Sequence, residues 1–86
     1  MLKKGMTALV TGGSGGIGSA VVKTLAARGV TVIAASNDDD KLKALEGIEN
    51  VETCLVDVRD FTKLKELFGG REIDAVINAA GVLGVT

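Results

Sequence analysis

The sequence of 86 residues contains no histidine, tyrosine, tryptophan or proline, and its one cysteine is Cys54. Without histidine, the chain can form no Ser-His-Asp triad and no His-ligated zinc site. A single cysteine excludes an internal disulfide and is typical of a reducing compartment. Because Cys54 lies within an apolar run, we expect a buried small hydrophobe rather than a nucleophile. The two aromatic residues, Phe61 and Phe68, provide no platform for stacking bases.

The chain also lacks an excess of charge of either sign. It has 10 Lys and Arg against 11 Asp and Glu, and the only basic cluster is Lys3-Lys4. Nucleic-acid binding needs a basic surface, so we expect no nucleic-acid partner.

No apolar run approaches the ~20 residues of a membrane span, and no signal-peptide core follows the N-terminus. We therefore expect no membrane association and a cytoplasmic location.

Hydrophobic residues make up 47% of the chain, which predicts one packed domain over residues 1–86. Short apolar runs predict strands over 7–11, 30–36, 51–56 and 73–79. Helical spacing predicts helices over 16–28 and 41–46, with an acidic run before the second. A third helix is predicted from its cap and apolar face, Asp60, Phe61, Leu64, Leu67 and Phe68. This β-α-β-α-β-α-β order predicts an α/β fold with a parallel sheet.

A glycine-rich segment, TGGSGGIG, leads from the first strand into the first helix. Two spacings fit at once: Gly13-x-Gly15-x-x-Gly18 and the longer Gly12-x-x-x-Gly16-x-Gly18. Glycines there allow a tight turn and close approach of the backbone to a pyrophosphate, and the helix start offers free N–H groups. A glycine turn without a ligand is the alternative, but the strand–turn–helix context favours dinucleotide binding. The absence of a Gly-Lys-Ser/Thr ending speaks against a nucleoside triphosphate loop.

Three motifs make the sequence resemble the short-chain dehydrogenase/reductase family. Thr11-Gly12-x-x-x-Gly16-Ile17-Gly18 resembles its TGxxxGIG cofactor loop. Asp57-Val58, after the third predicted strand, resembles its adenine-contacting acidic position, and Asn78-Ala79-Ala80-Gly81 resembles its NNAG motif. The resemblance covers the whole chain, which corresponds to the N-terminal part of a typical member. It implies a Rossmann-like half, a dinucleotide-binding half-domain with sheet order 3-2-1-4 that binds NAD or NADP.

The resemblance also implies a role for individual residues. The backbone of the glycine loop would surround the pyrophosphate and the adenosine ribose. Asp57 would accept a hydrogen bond from the adenine amino group and Val58 would line the adenine pocket, although a turn-capping Asp57 is the alternative. The end of the fourth strand would pass close to the nicotinamide side. The implied cofactor-binding residues are Gly12, Ser14, Gly16, Ile17, Gly18, Ser36, Asn37, Asp57, Val58, Asn78, Ala80 and Gly81.

Two departures limit what the resemblance implies. Ala79 stands where the family has the second Asn of NNAG. The family's catalytic Ser, Tyr and Lys lie beyond the fourth strand, and this chain has no Tyr. We therefore expect no catalytic residue in the chain and no hydride transfer by the chain alone, because a general acid is missing. Whether a complementary second chain completes an oxidoreductase stays open.

The end of the second strand carries conflicting cues on the cofactor. Ser36 stands where NAD-preferring relatives carry an acid, and Asn37 stands where NADP-preferring ones carry an Arg. Ser36 would tolerate a 2′-phosphate, whereas Gly15 supplies no basic side chain and the acidic residues 38–40 would repel a phosphate. That acidic run is also what a helix N-terminus prefers, and Asp38 is close enough in sequence for a ribose contact. The cofactor is thus NAD or NADP, with a slight preference for NAD.

A different class of function follows from the fourth strand. With no partner strand beyond it, this strand would be an exposed apolar edge that includes Val76 and Ile77. Such an edge predicts a homodimer through the fourth strand, with a continuous sheet of about eight strands. The alternative function is therefore a self-associating structural half-fold that binds little or no cofactor.

Overall fold

The computed structural model describes residues 3–12, 16–56, 66, 69–70 and 72–78. Its elements are, in chain order, β1 (Thr7–Thr11), α1 (Gly16–Ala27), β2 (Thr31–Ser36), α2 (Asp39–Lys43), β3 (Val51–Leu55) and β4 (Ala75–Asn78). The strands agree with the predicted ranges to within two residues at each described end. The predicted third helix falls almost wholly outside the described residues. No helix in the described part of the chain is long and apolar enough to cross a membrane.

The four strands form one parallel sheet in the order β3-β2-β1-β4, which confirms the predicted fold class. β1 lies between β2 and β4, and its last residue, Thr11, is the register partner of both Ala35 and Asn78. The chain moves outward from β1 to β3 and then returns to the other side of β1. The strand order therefore reverses between β1 and β4.

Both faces of the sheet carry apolar residues, as a parallel sheet requires. One face packs against α1 and α2. Its buried cluster comprises Ala8, Val10, Val22, Ala26, Val30, Val32, Ala34, Leu42 and Leu45. The opposite face has a smaller buried cluster formed by Leu9, Ile33, Ala35 and Val56. The core thus fixes the strand ends from both sides.

The end of α1 is a Schellman motif that places Gly29 just after the helix. The N–H of Gly29 donates to the carbonyl of Ala26 at 3.0 Å, and the N–H of Val30 donates to that of Leu25 at 3.2 Å. Gly29 has φ 84°, a left-handed conformation that costs glycine nothing. The chain can therefore reverse into β2 within three residues of the helix end.

The predicted bounds of the second helix, 41–46, are wrong, because α2 begins and ends earlier. Asp38 supplies the cap: its Oδ1 accepts from the backbone N–H of Lys41 at 3.2 Å. After α2, three successive N–H groups donate to carbonyls three positions back at 2.9–3.2 Å, which tightens the chain into a turn. Leu42 and Leu45 are nevertheless both buried, as their spacing predicts.

Candidate functional site

The carboxyl ends of the strands lie together at one edge of the sheet, which we call the carboxyl edge. It contains the reversal of strand order between β1 and β4, where Thr11 and Asn78 are paired. Thr11 is buried, and its Oγ1 donates to the carbonyl oxygen of Ile77 at 3.4 Å. Ligands of open parallel sheets bind in the crevice at such a reversal. The fold therefore provides a binding position at this edge.

Gly12 directs the chain out of β1 at this crevice. Its N–H donates to the carbonyl oxygen of Ala35 at 2.9 Å, so the backbone is still held by β2 where it begins to turn. Its φ of 73° lies in the left-handed region that favours glycine. The backbone after β1 is thus fixed beside the sheet without a bulky side chain.

The first turn of α1 combines open space with backbone N–H groups that have no partner within the helix. Gly16 begins the helix, and a Cβ placed there would meet no heavy atom within 4 Å in the described part of the chain, its neighbours along the chain apart. Gly18 is buried, which brings the helix close to the sheet, whereas Ile17 is 41% exposed. The first N–H groups of a helix have no partner within it and carry a partial positive charge. This cradle fits a phosphate group.

Ser36 and Asn37 lie at the carboxyl end of β2. Ser36 is buried, and its Oγ accepts from the backbone N–H of Asp38 at 3.1 Å. Asn37 is exposed between them. Ser36 therefore shapes the turn that follows β2, and Asn37 presents its side chain to solvent at the same edge.

The acidic run after Asn37 serves the N-terminus of α2, one of the two roles that the sequence left open. Asp38 caps the helix and lies 3.9 Å from the Nζ of Lys41, and Asp39 lies 3.5 Å from the Nζ of Lys43. Both pairs are exposed and contribute little to stability. The carboxylate of Asp38 is nevertheless held in place by its capping bond.

The third and fourth strands end at the same edge. Val56 is buried, and its N–H donates to the carbonyl oxygen of Ser36 at 2.8 Å, so β3 ends against β2. Asn78 is the last residue of β4. The structure thus brings six predicted residues to one edge: Gly12, Gly16, Ile17, Ser36, Asn37 and Asn78, with Gly18 buried beneath them. The predicted residues Ser14, Asp57, Val58, Ala80 and Gly81 lie outside the described residues.

One contributor, the carbonyl of Ala35 that holds Gly12, was not predicted from the sequence. A backbone contact of this kind depends on strand register and has no residue-type signal.

Cys54 packs half-buried against the smaller core cluster, and burial raises the pKa of its thiol. Among the described residues no group of three or more side chains could hold a metal ion.

Comparison with known proteins identifies the family. The model of the NAD-dependent epimerase/dehydratase family matches residues 8–86. The chain belongs to this family. Its curated relatives include L-xylulose reductase from Bos taurus, 39% identical over 80 residues that cover 91% of this chain and 33% of the relative. The resemblance to short-chain dehydrogenases/reductases is confirmed, and the chain spans about a third of the length of the curated relatives it matches.

Solved structures agree with the family assignment. The chain is similar to UDP-glucose 4-epimerase from Stenotrophomonas maltophila with bound NAD, with a TM-score of 0.73 and 29% identity over 86% of this chain and 24% of that one. It is also similar to RhlG from Pseudomonas aeruginosa in a complex with NADP, with a TM-score of 0.73 and 26% identity over 87% of this chain and 34% of that one. The family thus supports a nicotinamide dinucleotide as the cofactor class.

Proposed function

We propose that the chain binds a nicotinamide dinucleotide at the carboxyl edge and forms the cofactor-binding part of a short-chain dehydrogenase/reductase-like oxidoreductase. One observation carries the proposal: Gly16 opens α1 at the reversal of strand order, where neither its backbone nor the described packing requires glycine. A glycine in open space at a helix start leaves room for a ligand that approaches the backbone closely.

Each part of the cofactor has proposed partners. The pyrophosphate lies against the start of α1, and the adenosine ribose lies beside Ser36 and Asn37. Asp57 and Val58 hold the adenine, and the end of β4 borders the nicotinamide ribose. The set is that implied by the family resemblance: Gly12, Ser14, Gly16, Ile17, Gly18, Ser36, Asn37, Asp57, Val58, Asn78, Ala80 and Gly81.

The bound nicotinamide would supply hydride transfer, and the protein's part in these 86 residues is to bind and orient it. The chain contains no tyrosine and no histidine. The family's phenolic acid is therefore missing, and we expect no turnover from the chain by itself. Catalytic groups and a substrate pocket would come from protein outside this sequence.

We favour NAD over NADP as the cofactor. Three carboxylates, Asp38, Asp39 and Asp40, follow the end of β2 and are only partly balanced by Lys41 and Lys43. A 2′-phosphate would add two negative charges near this acidic turn. A ribose 2′-hydroxyl, in contrast, can donate to a carboxylate or to Ser36. The local charge therefore supports the unphosphorylated cofactor.

The test is calorimetric titration of the purified chain with NAD and NADP in parallel. We expect saturable binding in the micromolar to low-millimolar range, with NAD the tighter ligand. No heat and no thermal stabilisation by either dinucleotide at millimolar concentration would contradict cofactor binding by this chain. Tighter binding of NADP would contradict only the preference for NAD that we infer from the acidic turn.

A second function, self-association, is favoured by β4. In the described part of the chain this strand pairs on one side, with β1, and Val76 on it is 62% exposed. An unpaired apolar edge is a template for another strand. We propose that two copies pair through β4 about a twofold axis, with the two β4 strands antiparallel, and form one sheet.

Leu55 offers a matched control for this dimer. It lies on β3 at the opposite edge and is 59% exposed, close to the 62% of Val76. Sedimentation equilibrium should show a dimer that V76K dissociates and L55K leaves intact. A stable monomer at high concentration, or equal effects of the two substitutions, would contradict pairing through β4.

A further inference from the structure

A depression of about 510 Å³ lies at the opposite end of the sheet, where the parallel strands begin. We call it the amino-edge depression. Its walls are Lys4, the last turns of α1 with Lys23, the turn at Arg28-Gly29, and residues 48–50. Its volume falls within the range of ligand sites, roughly 300–1,000 Å³. The depression lies at one end of α1 and the proposed cofactor site lies at the other. The helix has 12 residues and is thus about 18 Å long.

The charge of this depression differs from that of the whole chain. Lys4, Lys23 and Arg28 contribute three positive charges and Glu49 contributes one negative charge, whereas the chain has a formal net charge of −1. None of these four side chains forms an ion pair within 4 Å in the described part of the chain, although Lys41 and Lys43 on α2 do. Three cations around one depression repel each other, and a multivalent anion would remove that repulsion.

The structure holds Lys4 at this position. A Cβ built on Gly29 would lie 2.7 Å from Cγ of Lys4 and 3.2 Å from its Cβ, so the lysine stem passes directly against the glycine backbone. The N–H of Gly5 donates to the carbonyl oxygen of Gly29 at 3.1 Å and holds the two segments together. A side chain whose stem is already ordered loses less conformational entropy when its charged end binds a ligand.

The opposite wall is tied to α1 by Asn50. Its Nδ2 donates to the carbonyl oxygen of Ala26 at 3.2 Å, although the residue has to adopt φ 71°. The carbonyls of Leu25 and Ala26 also accept from Val30 and Gly29. The helix end would repel an anion if its carbonyls were free, and these donors satisfy two of them.

We propose that the amino-edge depression is a second anion site, which binds a small phosphorylated ligand through Lys4, Lys23 and Arg28. The chemistry favours a phosphate ester or pyrophosphate, because three separate cationic side chains match a group with several negative oxygens. This site is independent of the proposed cofactor site at the other end of α1.

Amide-resolved NMR titration with inorganic pyrophosphate tests the proposal, against sodium chloride at matched ionic strength. We expect saturable shifts at Gly29, Glu49 and Asn50. The double substitution K23Q/R28Q should weaken that binding about tenfold or more. The matched control K41Q/K43Q removes two lysine charges from α2 and should leave the affinity within about twofold.

No saturable shift at Gly29, Glu49 and Asn50 of the unsubstituted chain would overturn the proposal. An equal loss of affinity in the two double variants would overturn it as well, since it would show an effect of overall charge. Shifts confined to residues 16–18 would also overturn it. The two ends of α1 give separate signals, so the result at the amino edge does not depend on cofactor binding at the carboxyl edge.

Discussion

The two proposed sites, at opposite edges of the sheet, would attract negative charge in different ways. At the carboxyl edge the described residues of the β1–α1 connection, Gly12 and residues 16–18, carry no charged side chain, and the donors are backbone N–H groups. At the amino edge three cationic side chains surround a depression. Both edges depend on a glycine, for opposite reasons. Gly16 faces open space, whereas Gly29 is closely approached by Lys4.

This contrast distinguishes a glycine that we propose serves a ligand, Gly16, from one that serves the fold, Gly29. At Gly29 a methyl group would strain the backbone and displace a lysine stem, so the free protein itself requires glycine. At Gly16 the described protein has room for a methyl group. A glycine's surroundings in the free protein thus indicate whether its substitution should change stability or binding.

The largest effect should come from G29A. Alanine at φ 84° and a Cβ placed 2.7 Å from Lys4 should together lower the free energy of unfolding by about 2 kcal/mol. Urea unfolding of the variant measures it. Dinucleotide affinity, corrected for the folded fraction, should not change. A stability within 0.5 kcal/mol of the unsubstituted chain, roughly the scatter for neutral surface changes, would remove the structural role of Gly29.

G16A should have the opposite signature. Its methyl group would occupy the space where the phosphate is proposed to bind, so dinucleotide affinity should fall about tenfold or more, or about 1.4 kcal/mol. The free energy of unfolding should be unchanged or slightly higher, because alanine favours a helix over glycine. Calorimetry and urea unfolding measure the two quantities. G70A is the control, because a Cβ there also meets no described atom within 4 Å. Unchanged affinity in G16A would contradict the ligand-based reading of this glycine.

Substitutions of Asn50 compare the two contributions of this residue at the amino edge. Both N50A and N50G lose the bond to the carbonyl of Ala26, but glycine adopts φ 71° without strain. The free energy of unfolding of N50A should therefore be about 1 kcal/mol lower than that of N50G. Equal stabilities would show that the left-handed conformation relaxes when the side chain is shortened.

The smallest effect should come from substitution of Cys54, which lies within β3 between the two edges of the sheet. Burial raises the pKa of its thiol, so the folded state retains the proton more strongly than the unfolded state does. Its contribution to stability is present below the ordinary thiol pKa and is lost as the pH rises through the raised value. C54A should flatten the stability profile in the alkaline range. An unchanged profile would show that another group causes the alkaline loss.

The four strands and their parallel sheet followed from the sequence, because each strand is an apolar run bounded by a turn signal. The strand order followed from the family resemblance. Of the described glycines in the predicted cofactor loop, Gly12 directly follows β1, and Gly16 and Gly18 lie in the first turn of α1. The bounds of α2 did not follow, because Asp38 rather than a later residue caps the helix. The amino-edge depression had no sequence signal, since the fold brings together Lys4, the end of α1 and Asn50, which are distant in the chain.

The most direct measurement is an amide-resolved NMR titration of the chain with NAD. Binding at the carboxyl edge predicts saturable shifts at residues 12, 16–18, 36–38 and 78, at lower NAD concentrations than any shift at residues 29 and 48–50. No saturable shift at the first set with millimolar NAD, or shifts concentrated at the second, would contradict a dinucleotide site built from the backbone at the start of α1.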